Sequence, residues 1–171
     1  MKVKTIVVGI DGSADARDAL DTAIDVVADD GVIHVVAAFH APSSAEINRV
    51  LAALPREFKD SYDPLAEPHS HLHDAAALMA ARGVEGRGHF VEDHPAAAIL
   101  DVADLVGADL IIVGSRGIGQ STRFLRGSVS ARVANRAKTS FMVIHMSYRG
   151  PFRVVRRRNS QSDGCGDGSV R

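Results

Sequence analysis

Two short stretches of the chain combine residue types that can hold an anion. The longer is GSRGIGQSTRFLRGSVS, Gly114 to Ser130. Gly114 and Gly117 lack a Cβ, so the backbone there can turn sharply and come close to a ligand. Gly127 and Ser128 open a predicted helix, whose unpaired N–H groups and dipole favour negative charge. Ser128 and Ser130 add hydroxyl donors. Together these groups suit a di- or triphosphate held by main-chain amides without a lysine. The shorter stretch is Asp11-Gly12-Ser13. A carboxylate there can hold Mg²⁺ or act as a base, but the sequence assigns no second carboxylate a place beside it. Recognition of a base or ribose is the more economical role for Asp11. Neither GxxxxGK[ST] nor GxGxxG occurs here, and there is no GxSxG elbow. The competing reading of the glycines is a tight turn after a strand, with no ligand.

The elements around these stretches place both at one edge of a sheet. Val3 to Ile10 is an apolar, β-branched run that stops at Asp11-Gly12, the pattern of a strand buried on both faces. Ser13 caps a helix in which Ala16, Leu20, Ala23, Ile24 and Val27 recur at helical spacing. Asp30-Gly31 is expected to end that helix, with Gly31 in the left-handed conformation. A second strand follows over Val32 to Phe39. Prolines break up the region 41–68, although Ala45 to Leu54 suits a helix. Further helices are expected over Leu72 to Arg82, from Pro95 to about Val106 (closed by Gly107), and over Ser128 to Ala137. Gly88 to Glu92, Ala108 to Gly114 and Ser140 to Met146 read as strands. This alternation predicts an α/β fold: an open parallel five-stranded sheet with helices on both faces. Ligands of such sheets bind beyond the carboxyl ends of the strands, where strand order reverses.

Composition narrows the function classes. The chain has 171 residues, 46% hydrophobic and 24% charged, which suits one domain with a real core. A net charge of −1 gives no overall field favouring nucleic acid or a membrane surface, so neither is expected as a partner. Cys165 stands alone in the sequence, so no disulfide forms within the chain, which fits a reducing, cytoplasmic setting. Residues 1–148 read as the folded domain, and residues 149–171, Gly- and Ser-rich with Arg156-Arg157-Arg158, as a disordered basic tail. His69, His71 and His73 invite a metal reading, but only His69 and His73 align on a helix, and a solvated helix start accounts for them. His34, inside an apolar strand, reads as a satisfied or edge-facing side chain, not a ligand.

The spacing of the longer stretch is specific. Gly114, two residues, Gly117, nine residues, then Gly127-Ser128 resembles the G-x2-G-x9-G-[ST] motif of the ATP-binding universal stress proteins. VVGIDGS at Val7 to Ser13, ADLIIVGSRG at Ala108 to Gly117 and GSVSARV at Gly127 to Val133 resemble further blocks of that family. The resemblance covers roughly Lys2 to Met146. It implies a Rossmann-like fold of the adenine nucleotide alpha hydrolase type and binding of ATP, with or without Mg²⁺. Carried over by position, Asp11 and Gly12 would lie against the nucleoside and Ala38 would contribute backbone contacts to the base. Gly114, Ser115, Arg116, Gly117, Gly127, Ser128 and Val129 would surround the ribose and phosphates. It also implies a homodimer formed through the last strand, Ser140 to Met146. Two positions depart from the pattern: Asp93-His94-Pro95 stands where the family often has glycine before the proline, and Ser140 stands where proline usually begins the final strand.

These features lead to an ATP-binding stress-response regulator that acts by nucleotide occupancy. A slow ATPase or adenylyl-transferring enzyme on the same scaffold, and a structural dimer that binds no nucleotide, are the alternatives. No catalytic residue and no metal ligand can be assigned from the sequence.

Overall fold

The structure, a computed structural model, describes residues 2–115 and 128–145. Its central strands are runs of β-branched residues covered on both faces. β1 (Val3–Ile10) buries Ile6, Val7 and Val8 completely, and β4 (Leu110–Gly114) buries Leu110 to Val113. With β2 (Val27–Phe39), β3 (Glu85–Glu92) and β5 (Ser140–Ile144) they form one parallel sheet in the order β3-β2-β1-β4-β5. The chain moves outward from β1 to β3, then returns to the other side of β1 for β4 and β5. Strand order therefore reverses between β1 and β4.

Helices cover both faces. On one, α1 (Ala14–Val26) and α4 (Ala66–Ala81) set Leu20, Ala23, Ala75 and Met79 over Ile6, Val8, Ile33 and Val35. On the other, α5 (Pro95–Val106) and α6 (Ser128–Arg136) set Ile99, Val102 and Val133 against Val7, Val36 and Ile111. Each crossover helix runs back against the strands, so α1, α5 and α6 all begin at the carboxyl edge of the sheet. The remaining α2 (Ser44–Ala53) and α3 (Arg56–Lys59) contain no buried residue. A capping box holds the start of α2: Ser43 Oγ accepts from Glu46 N–H while the Glu46 carboxylate accepts from Ser43 N–H. No helix among the described residues is long and apolar enough to cross a membrane.

Local signals set several boundaries as expected. Ser13 Oγ accepts from Ala16 N–H at 3.2 Å, and α5 runs from Pro95 to a left-handed Gly107 at φ 63°. The end of α1 differs. The helix stops at Val26, Val27 is already extended, and Gly31 does not take a left-handed φ. Val27 is buried in the core and pairs with Val3, while the next pair is Thr5 with Val32, so residues 28–31 form a bulge opposite Lys4. Gly31 serves close approach instead: a Cβ there would lie 2.8 Å from the Lys4 carbonyl oxygen. Burial of two β-branched valines outweighs the helical spacing. α4 starts six residues earlier than expected, because Pro68 falls within its first turn, where the N–H has no partner to lose. β3 is longer than its polar sequence suggests, since Glu85 to Gly88 pair with Val32 to Val35.

Candidate functional site

The carboxyl edge at the β1/β4 reversal collects most of the residues singled out from the sequence. After β1 the chain enters α1 through a turn in which Asp11 Oδ1 accepts from Ser13 N–H at 3.0 Å. Gly12 adopts φ +77°, and a Cβ there would lie 2.6 Å from Cε1 of His71, whose ring lies over it. Ala38 sits one residue beyond the Ile10–Ala37 pair, half-buried on the α5 side. Ser128 opens α6 at this edge, followed by Val129, packed on the α5 side, and Ser130, which is buried. Arg116, Gly117 and Gly127 lie outside the described residues, as do Met146, Cys165 and Arg156 to Arg158.

Gly114 and Ser115 do something the sequence did not reveal. The space a Cβ would take on Gly114 is filled by Asp15, whose backbone carbon would be 2.8 Å away. The glycine therefore lets the first turn of α1 pack onto the end of β4. Asp15 is 3% exposed, and its Oδ2 accepts from Ser115 Oγ–H at 2.6 Å. The same hydroxyl oxygen lies 2.7 Å from Nδ1 of His145, just after β5. A hydroxyl has one proton, so when Ser115 donates to Asp15 it accepts from Nδ1–H of His145. The order His–Ser–Asp puts the imidazole at the end of the chain, not between hydroxyl and carboxylate, so it does not take the proton of Ser115 as a triad histidine would. The main-chain N–H of Ser115 is committed as well: it donates to the Ile144 carbonyl at 2.7 Å. A ligand at this edge would find the Ser115 N–H already taken.

A cavity of about 310 Å³ adjoins this edge between α1 and α4. Ile10, Ala16 and Leu20 form apolar walls, and Arg17, His71 and Asp74 provide polar groups. Its size is at the small end for a ligand pocket, roughly 300–1,000 Å³. The HSHLH run lies in α4: His71 overlies Gly12, the His69 ring rests 4.2 Å from that of Phe90, and His73 is exposed. They pack separately, so the run is only in part a solvated helix start. No three His, Cys, Asp or Glu side chains among the described residues are placed to share a metal ion.

Two more histidine contacts complete the picture. His34 Nδ1 lies 2.8 Å from His89 Nε2 across β2 and β3, so His34 is satisfied by a partner on the next strand. Burial lowers the pKa of both rings, with a smaller contribution from the Arg87 cation, and His89 adds to the effect on His34. On the α5 side of the carboxyl edge, His94 Nε2 lies 3.1 Å from Arg132 Nη1 on α6.

The model of the universal stress protein family matches residues 2–145. The chain belongs to this family. As a universal stress protein it is 31% identical over 145 residues to universal stress protein Rv1636 of Mycobacterium tuberculosis, a match that spans 83% of this chain and 96% of that one. With universal stress protein Sll1654 of Synechocystis it shares 33% identity over 143 residues, 82% of this chain and 85% of the relative. Among solved structures, a universal stress protein in complex with cAMP is 30% identical with a TM-score of 0.61, covering 85% of this chain and 98% of that one.

Within this universal stress protein, Asp15, His145, His94 and Arg132 were not found by reading the sequence. Asp15 carries one available signal: a carboxylate in the first turn of a helix suits the dipole there. For the other three, contacts between distant parts of the chain decide, and no local spacing announces them.

Proposed function

We propose that this chain binds an adenine nucleotide at the β1/β4 edge, with ATP as the ligand, and acts as a stress-response regulator by occupancy. The observation that carries the reading is the convergence there of the Asp11-Gly12 turn, the end of β4 and the amino end of α6. The donor set suits a nucleotide. Amides at the start of α6 and its dipole serve the phosphates, the Asp11 carboxylate serves the ribose, and Ala38 offers its backbone to the base. Gly117 and Gly127 complete the cradle by their place in the motif. Mg²⁺ accompanying the triphosphate would supply charge neutralisation, and Asp11 is the carboxylate that this reading would offer it. The cAMP complex of a relative 30% identical supports a nucleotide as the ligand class.

Occupancy, in preference to turnover, follows from the hydroxyl at the site. Ser115 is held between Asp15 and His145 with its proton directed at a carboxylate, which engages the hydroxyl that follows β4. The proposed regulator is a homodimer formed through β5, whose Phe141 and Val143 are 44% and 40% exposed. Native mass spectrometry for copurified adenine nucleotide, followed by calorimetry with ATP and cAMP, tests the proposal. Affinity in the low- to mid-micromolar range, about −7 to −8 kcal/mol, is expected for ATP, with loss in Gly127→Val. Equal ATP binding by the wild type and that variant would reject the site.

A further inference from the structure

The cavity between α1 and α4 has a lining that the nucleotide reading does not use. From α1 and its cap come Ser13, Ala16, Arg17 and Leu20; from α4 come His71, Asp74, Ala75 and Leu78. Each set has the i, i+3, i+4, i+7 spacing of one helical face. Alanine on both walls, with Ala16 and Ala75 buried, leaves open the space that larger side chains would fill. Leu20, Leu78 and Ile10 give it an apolar surface continuous with the core of this face. His71, lying over Gly12, narrows the end nearest the carboxyl edge of the sheet.

Two opposite charges stand on the facing walls, Arg17 on α1 and Asp74 on α4. Both are exposed, and they do not pair. Among the described residues, neither side chain has a hydrogen-bond or ion-pair partner. One turn further along α1 the same two helices do approach through charge, with Asp21 Oδ1 3.8 Å from Arg82 Nη2 at the end of α4. Charges on the two helices thus meet beyond the cavity and not over it.

This pattern sets the chemistry of an occupant. A fatty acid would satisfy Arg17 but bring a second carboxylate up to Asp74, and an amine would do the reverse. A zwitterion with its ammonium and carboxylate on one carbon matches both walls, and an apolar side chain matches the floor. The volume, about 310 Å³, suits one small molecule.

We propose that this cavity binds a free α-amino acid with an apolar side chain. Arg17 holds the carboxylate, Asp74 the ammonium, and the side chain lies against Leu20 and Leu78. The site is on the α1–α4 face, whereas Ala38 and Val129 of the nucleotide reading pack on the α5 side, so the inference does not rest on that reading.

The test is calorimetry of the full chain with L-leucine, isocaproate (which lacks the ammonium) and isoamylamine (which lacks the carboxylate), for the wild type, Arg17→Gln and Asp74→Asn. Wild type is expected to bind leucine at least about tenfold more tightly than either analogue, the scale of one charge-assisted hydrogen bond. Arg17→Gln should weaken leucine by about the same factor and leave isoamylamine unchanged. Asp74→Asn should weaken leucine likewise, yet bind isocaproate at least as well as the wild type does. Far-UV circular dichroism checks that each variant is folded. No detectable binding of leucine at millimolar concentrations overturns the proposal. So does equal wild-type affinity for leucine and isocaproate, which describes a site for simple carboxylates, or leucine affinity that neither substitution moves. Displacement of leucine by ATP makes the cavity part of the nucleotide site and overturns it as well.

Discussion

Ser115 Oγ lies 2.6 Å from Asp15 Oδ2 and joins the end of β4 to the first turn of α1 across 100 residues of sequence. The carboxylate is buried, so the hydroxyl supplies part of the solvation that water would otherwise provide. Ser115→Ala removes that donor and is expected to cost about 1–3 kcal/mol in urea denaturation. A change within error of zero would show that other groups satisfy Asp15 without it.

Gly114→Ala is expected to be at least as damaging, although it removes no hydrogen bond. Its Cβ would press on the backbone of Asp15 and Ala16, which cannot rotate away as a side-chain tip can. Overpacking of this kind costs about 1–3 kcal/mol. The substitution is therefore a probe of stability, and a ligand-binding deficit in it says little about phosphate contacts. Thermal melts of the ligand-free variant give the check, and an unchanged midpoint contradicts the packing argument.

Gly12 and Gly83 both have positive φ, at 77° and 67°, but their surroundings differ. Around Gly83 a Cβ meets nothing within 4 Å, whereas at Gly12 it meets the His71 ring. Gly83→Ala should cost only the conformational strain of about 1–2 kcal/mol. Gly12→Ala adds displacement of the imidazole, and pairing it with His71→Ala should recover that extra part. Equal losses at the two glycines, measured by chemical denaturation, would remove the case for close contact at Gly12.

The His34–His89 pair gives a pH dependence with a definite sign. Both folded pKa values lie below the ordinary 6.5, so the unfolded chain takes up protons first as pH falls. The contribution is fully present above about 6.5 and is lost as pH drops through the lowered folded values. Arg87 deepens this effect at both rings, and Glu85 opposes it at His34. Urea midpoints should decline between neutral and mildly acidic pH, and the decline should flatten in His34→Gln/His89→Gln. A double variant with the slope of the wild type would place the acid sensitivity elsewhere.

Edge pairing through β5 predicts that Val143→Lys yields a folded monomer. An exposed lysine on an edge strand discourages pairing with another chain, while Val143 is not part of the core. Light scattering alongside circular dichroism separates the two properties. A wild type that is already monomeric at every concentration refutes the dimer.

The fold was legible wherever local signals and burial agree. Pro95 and Gly107 bound α5, Ser13 starts α1, and the runs in β1 and β4 read as strands buried on both faces. The end of α1 was not, because burial of Val27 in the core competes with helical spacing that continues to that residue. At the site, Asp11, Gly12, Ala38, Gly114, Ser128 and Val129 could be located at one edge from the order of elements alone. Gly114 has a packing reason that its sequence does not announce: its close neighbour is Asp15 of the same chain. That contact, like His34 with His89 and His94 with Arg132, depends on how helices and strands lie across one another. Residue spacing along a single element carries no trace of it.

The absence of any buried residue in α2 separates this arm from the rest of the molecule in time as well as in space. Its amides can trade their hydrogens for deuterium through brief local fraying, while those of Ile6 to Val8 must wait for the entire sheet to open. Among the described residues, the interval between β2 and α4 is thus one that can be lengthened, shortened or clipped by a protease with little effect on melting.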